Sequence, residues 1–192
     1  VVDGRTGDGI TMARLVGANV AGMHAVTGNA PYLPDVPPIN QFSGPDELKQ
    51  GRCALAQPWL WVNHEGKRFF NESRGAVFVD VYNAMTSAGG VLYTIFDQSM
   101  IDDLINKGAV LPFNAIVLAG VPLKALPKTL EMGYERGWAF KADTVKELAQ
   151  QIGVPPENLE SSMKRVNEFA KTGVDEEFIQ PQARTSAGVQ PE

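Results

Sequence analysis

The chain has 192 residues and a formal net charge of -5, with a sequence pI of about 5.1. That acidic balance argues against nucleic acid or an anionic membrane as the main partner. No run approaches the roughly 18 apolar residues of a membrane span, so the chain reads as soluble, and its single cysteine, Cys53, excludes an internal disulfide or a cysteine metal cluster.

A hydrophobic content of 44% supports the core of one domain, or of one domain plus part of another. Cys53 is expected to be a buried small hydrophobe rather than a nucleophile. Reducing compartments and the bacterial cell envelope both suit such a chain. Starting on Val1-Val2-Asp3-Gly4 and ending in a coil-like stretch from Gln180 to Glu192, it reads as a piece of a longer protein with a flexible tail over 181–192.

In chain order, Thr6 to about Thr27 predicts a turn feeding a helix. Asp8 stands where a carboxylate can cap that helix, accepting from amides that a first turn leaves unpaired. Ile10, Ala13, Gly17, Ala18 and Ala21 form a stripe of mainly small residues, suited to close approach by a neighbouring element. The next stretch, Asn29 to Asp46, holds Pro31, Pro34, Pro37, Pro38 and Pro45, which remove donors and fix backbone angles. A linker or surface crossover is expected there.

The centre of the chain is Trp59 to Glu72. An apolar run, the turn-forming Asn63-His64-Glu65-Gly66 and a second aromatic run predict a β-hairpin. Side chains alternate along a strand, so Trp59 and Trp61 are expected on one face and Leu60 and Val62 on the other, both covered. The far end carries a polar cluster of Arg68, Asn71, Glu72 and Arg74.

After Gly89-Gly90, Val91 to Asp97 predicts a strand, and Ser99 to Lys107 a short helix closed by Gly108. Val110-Leu111 and Ile116-Val117-Leu118 suit strands or short helices. Leu126 to Tyr134 predicts a helix ending near Gly137, followed by a strand over Trp138 to Ala142. Thr144 and Glu147 form a capping-box pair opening a helix that stops at Gly153. Pro156 opens the last helix, whose Leu159, Met163, Val166 and Ala170 make an amphipathic face ending at Gly173. Glu160, Lys164, Arg165 and Glu168 read as its solvated face.

The pattern Val62-Asn63-x-x-Gly66-x-Arg68-Phe69-x-Asn71-Glu72 resembles the entry to the capping domain of the FAD-dependent fumarate reductase and succinate dehydrogenase flavoprotein family. Thr6-Gly7-Asp8-Gly9-Ile10-x-Met12-Ala13 before it and Ala142-Asp143-Thr144-Val145-x-Glu147-Leu148-Ala149 after it agree in the same order. The resemblance implies a remnant of the FAD-binding domain plus a proline-rich linker over 1–50 and a capping, substrate-lid domain over 51–180. The expected fold class is α+β, a modest, mainly antiparallel sheet with packed helices.

It also implies FAD as cofactor, held in part at Thr6, Gly7, Asp8 and Gly9, though an ordinary helix start would carry the same residues. The rest of the FAD domain and a small-molecule substrate are the implied partners, with the electron donor unassigned. Flavin reduction of an activated double bond needs a cation to hold the substrate and a proton donor, and Arg74 and Glu72 are the candidates. The alternative reading is that Arg68, Asn71 and Glu72 satisfy one another and the hairpin backbone.

Three positions depart from the family. Ala76 stands where fumarate reductases carry their acid arginine, Asn29 where they carry a substrate-binding histidine, and Leu48 to Pro58 lacks their threonine-glutamate-x-x-arginine stretch. The histidines present, His24 and His64, read as surface residues. Fumarate is therefore not the expected substrate. A ketosteroid- or enone-type flavin dehydrogenase is the first alternative, and a free-standing interaction domain the second.

Overall fold

The computed structural model describes residues 6–21, 33–34, 45–113 and 117–178. In order come α1 (Asp8–Leu15), α2 (Asp46–Leu55), β1 (Leu60–Val62), a 3-10 turn (Glu72–Arg74), α3 (Phe78–Ser87), β2 (Tyr93–Ile95), α4 (Gln98–Asn106), α5 (Leu126–Arg136), α6 (Val145–Ile152) and α7 (Pro156–Thr172). Most of the proline-rich stretch, His24, Asn29, Ile116 and the tail over 181–192 lie outside the described residues. Helix α2 (Asp46–Leu55) runs through residue 50.

Strands β1 and β2 pair antiparallel, Leu60 opposite Ile95 and Val62 opposite Tyr93. The hairpin is corrected here, because its second arm contributes one bridge, Val62 with Arg68. Its turn forms as expected. Asn63 Oδ1 accepts from the Glu65 and Lys67 amides at 3.0 and 3.1 Å, and Gly66 adopts φ +71°. Past the turn, α7 takes the backbone groups that a second arm would use for pairing. Ser162 Oγ donates to the Gly66 carbonyl at 2.9 Å and accepts from the Arg68 amide at 3.4 Å, while Asn158 Nδ2 donates to the Glu65 carbonyl at 2.8 Å.

Both faces of β1 are covered. Leu60 and Val62 enter the main core with Leu104, Leu126, Leu159 and Met163, whereas Trp61 points the other way, stacked on Phe70 at 5.6 Å beside Val81. Trp59 departs from the expected alternation. It precedes the strand and joins the main core, 4.7 Å from the Phe96 ring.

The C-terminal helices form where the caps place them. Thr144 Oγ1 accepts from the Glu147 amide at 3.2 Å, and left-handed Gly153 and Gly173 end α6 and α7. Helix α7 buries Leu159, Met163 and Val166 against α6 and β1, and Glu160, Lys164, Arg165 and Glu168 are exposed.

Neither Val110-Leu111, read as a strand or short helix, nor Trp138 to Ala142, read as a strand, forms a strand. The amides of Val110 and Leu111 donate to Oε1 of buried Gln57 at 2.8 and 3.0 Å, so a side chain stands in for a partner strand. Trp138 and Ala139 instead donate to the Gly133 carbonyl at 3.0 and 3.1 Å, folding the chain back on the end of α5. Helix α1 is shorter than expected, ending at Leu15 with Gly17 left-handed, and buries none of its residues.

Helix α2 packs on α5 at Gly51. Replacing glycine by alanine inside a helix ordinarily adds about 1 kcal/mol of stability. A Cβ at Gly51 would lie 2.5 Å from Thr129 Cγ2, and the Thr129 hydroxyl, bonded to the Glu47 and Ala125 carbonyls, keeps that methyl from moving away. The steric effect wins: Gly51→Ala is expected to lower stability by about 1–3 kcal/mol in denaturant titration. Gly9→Ala, with nothing within 4 Å of the new Cβ, should show no such loss.

Candidate functional site

The polar cluster splits into two arginines with opposite fates. Arg68 has a side chain only 3% exposed, and its five donors are all engaged. Nε donates to Glu72 Oε1 at 2.9 Å and Nη2 to Glu72 Oε2 at 2.6 Å. Nη2 also reaches Asp175 Oδ2 at 2.7 Å, while Nη1 donates to Asp175 Oδ1 at 3.0 Å and Glu177 Oε2 at 3.3 Å. Phe169 and Phe178 hold the guanidinium between their rings, at 5.8 and 4.8 Å. Arg165 answers Glu177 from the other side at 2.6 Å, so this member of the exposed face of α7 also joins the network.

Glu72 is 2% exposed, and its Oε1 also accepts from the Trp61 amide at 3.1 Å. Burial pushes its carboxyl above the ordinary range, while Arg68 and the Trp61 amide pull the other way. Burial would lower the Arg68 pKa, but its hydrogen bonds to the Glu72 and Asp175 carboxylates outweigh it and hold the group charged. For Asp175, burial alone would raise the pKa, and the Arg68 hydrogen bonds reverse that to a net lowering. Arg68 thus ties Glu72 and the hairpin end to the segment after α7. Asn71 caps the 3-10 turn, Oδ1 accepting from the Ser73 amide at 3.1 Å.

Arg74 comes out of that turn onto the surface, its side chain 51% exposed. Its Nε donates to Asp80 Oδ2 at 2.9 Å, and its Nη2 bonds the same oxygen. Among the described residues, Nη1 has no partner. Ala76, Val77 and Val79 are exposed beside it, while Phe78 and Val81 anchor this end of α3 inward, Phe78 against Phe113 at 5.5 Å. Gly75 is required for this placement, since a Cβ there would sit 2.7 Å from the Ala56 carbonyl oxygen.

At the other candidate, Gly7 (φ +78°) precedes α1 and accepts from the Ile10 and Thr11 amides at 3.0 and 3.1 Å. Asp8 is the first residue of the helix and makes no side-chain cap, correcting the expected role; its carboxylate points out of an exposed first turn. The Asp8 and Gly9 amides have no acceptor within the helix, and a Cβ at Gly7 or Gly9 would meet nothing within 4 Å. Open amides beside a free carboxylate fit a ligand offering both acceptors and hydroxyl donors.

His64 is exposed, Nδ1 3.0 Å from the Ala88 carbonyl oxygen. Cys53 is buried and its thiol is pushed up to about 12 by burial, as befits a core residue. Among the described residues no acidic, histidine or cysteine group is arranged to hold a metal, and no helix is long and apolar enough to cross a membrane. The sequence reading missed Asp175 and Glu177, which lie 107 and 109 residues from Arg68 with no local pattern to mark them.

A family model described as FAD binding domain matches residues 1–191. The chain is 28% identical over 183 residues to a vinyl phenol reductase of Lactiplantibacillus plantarum, covering 90% of this chain and 35% of that protein. It is 33% identical over 184 residues to a 3-oxosteroid 1-dehydrogenase of Mycolicibacterium smegmatis, covering 90% and 28%. It is 26% identical over 176 residues to a urocanate reductase of Eggerthella lenta, covering 91% and 25%. The chain therefore spans about a third or less of each of these relatives' length.

Removing one partner of a buried ion pair strands the other charge, so Arg68→Met is expected to cost about 3–5 kcal/mol in urea unfolding. Arg68→Met with Glu72→Leu should recover a large part of that loss. The stability Asp175 supplies is present above the ordinary aspartate pKa and is lost as pH falls through its lowered folded value. Urea midpoints measured from about pH 6 down to about pH 2 should therefore fall more steeply for the wild type than for Asp175→Asn.

Proposed function

The chain belongs to the FAD binding domain family, and from that premise we propose that residues 45–178 are the cover over the flavin and substrate of a longer FAD-dependent oxidoreductase acting on a CH-CH bond. The observation that carries this reading is the match across residues 1–191, set beside relatives of which the chain covers only a part. Two features support it. Helix α1 buries none of its residues, as suits an element whose neighbour lies in the FAD domain, and Arg74 is held at the surface by a turn anchored in the core.

Bound FAD would supply hydride transfer at its isoalloxazine ring. Thr6 to Gly9 would hold part of it: the Asp8 and Gly9 amides toward its acceptors, the Asp8 carboxylate toward its hydroxyls. Arg74 hydrogen-bonds the activating group of a small unsaturated or carbonyl-activated substrate and polarises it. Glu72 fixes the turn carrying Arg74 through its bonds to Arg68 and the Trp61 amide. With Ala76 where fumarate reductases carry an arginine, a dicarboxylate lacks its second cation. Of the substrate types in this family, an enone is therefore the better match, and the relative named 3-oxosteroid 1-dehydrogenase is the most identical of the three compared.

The full-length protein should purify with flavin absorbance and reduce an activated alkene when given a reduced artificial donor. Asp8→Ala is expected to weaken FAD binding by about tenfold or more, the loss of one charge-assisted hydrogen bond, with no change in thermal unfolding of the flavin-free protein. A full-length protein that binds no flavin would overturn the reading.

A further inference from the structure

Arg74 and Asp80 differ from the buried network in a way that bears on what the site accepts. Arg68 has no donor left over. Arg74 gives Nε and Nη2 to a single oxygen of Asp80 and keeps Nη1 unengaged among the described residues, on a half-exposed side chain. A guanidinium with a carboxylate beside it still donates hydrogen bonds, but its field at a ligand is largely cancelled, and the carboxylate repels a second anion. The sequence neighbours among the described residues are the exposed Ala76, Val77 and Val79, the two valines 44% exposed each.

We propose that Asp80 is a specificity-determining residue: by compensating Arg74 it makes the rim a neutral hydrogen-bond donor set among apolar side chains, which takes an uncharged conjugated ketone in preference to a carboxylate. This rests on the reading of Arg74 as a substrate contact. Nη1 meets the ketone oxygen, and Val77 and Val79 meet the apolar body of the compound. Nothing in the turn depends on Asp80 for its fold, since Asn71, Gly75, Phe78 and Val81 hold it in place.

The test uses the full-length flavoprotein and a matched pair of aryl alkenes, benzalacetone and trans-cinnamate, which differ in carrying a ketone or a carboxylate. Binding is read from perturbation of the flavin spectrum, and KM and kcat from reduction by an artificial donor. Wild type should bind benzalacetone more tightly. Asp80→Asn leaves Arg74 uncompensated and should improve cinnamate binding by about tenfold, the size of one charge interaction near a protein surface, with benzalacetone changed little. Arg74→Gln should weaken both, and the double variant should lose the gain for cinnamate.

An unchanged ratio in Asp80→Asn, with Arg74→Gln still impaired, overturns the inference and leaves Arg74 as a substrate contact. Arg74→Gln behaving as wild type with both compounds removes that contact and the inference with it. A wild type that favours cinnamate, or binds neither compound, also overturns the inference.

Discussion

A buried guanidinium holds this unit together. At Arg68 the hairpin end, the 3-10 turn and the segment after α7 meet through ionic hydrogen bonds, with the side chain almost fully buried. Such a group is tolerated only when every donor has an acceptor and the charge is balanced. That requirement fixes Glu72 beneath Trp61, turns the chain into the 3-10 turn, and so decides where Arg74 emerges. The surface arginine is placed by the buried one.

The division of labour also explains the shape of the polar cluster. Four polar residues within seven positions look alike as letters, yet two become structure, one becomes a cap and one is left facing outward. Burial decides which. The Trp61 amide holds buried Glu72 and the Phe169 and Phe178 rings lie against Arg68, whereas Arg74, just before the closely packed Gly75, is half exposed. Under the proposed function that outward face gains a meaning, because a cover would contribute to chemistry through its rim.

Local signals were legible and distant ones were not. The helices opened by Thr144 and Pro156 and closed by Gly153 and Gly173 follow from capping chemistry, which acts within a few residues. The Asn63 to Gly66 turn and the burial of Leu60, Trp61 and Val62 were readable for the same reason. Helix α2 was overlooked because its sequence, with Gly51 in the middle, is a weak helix former stabilised by packing on α5. Helix α3 opens on Phe-Val-Asp-Val, better suited to a strand, and was likewise missed. The failed strands share a cause, backbone groups satisfied by Gln57 or by the end of α5 instead of by a neighbouring strand. At the site, Asn71, Glu72 and Arg74 could be picked out, but not which of them the fold would consume, since Asp175 lies 107 residues from Arg68.

That separation matters while the protein is being made. Arg68 leaves the ribosome long before Asp175 and Glu177 exist, and in that interval only Glu72 can accompany its charge. The pairing at the hairpin end is therefore completed only once α7 and the turn behind it have been synthesised.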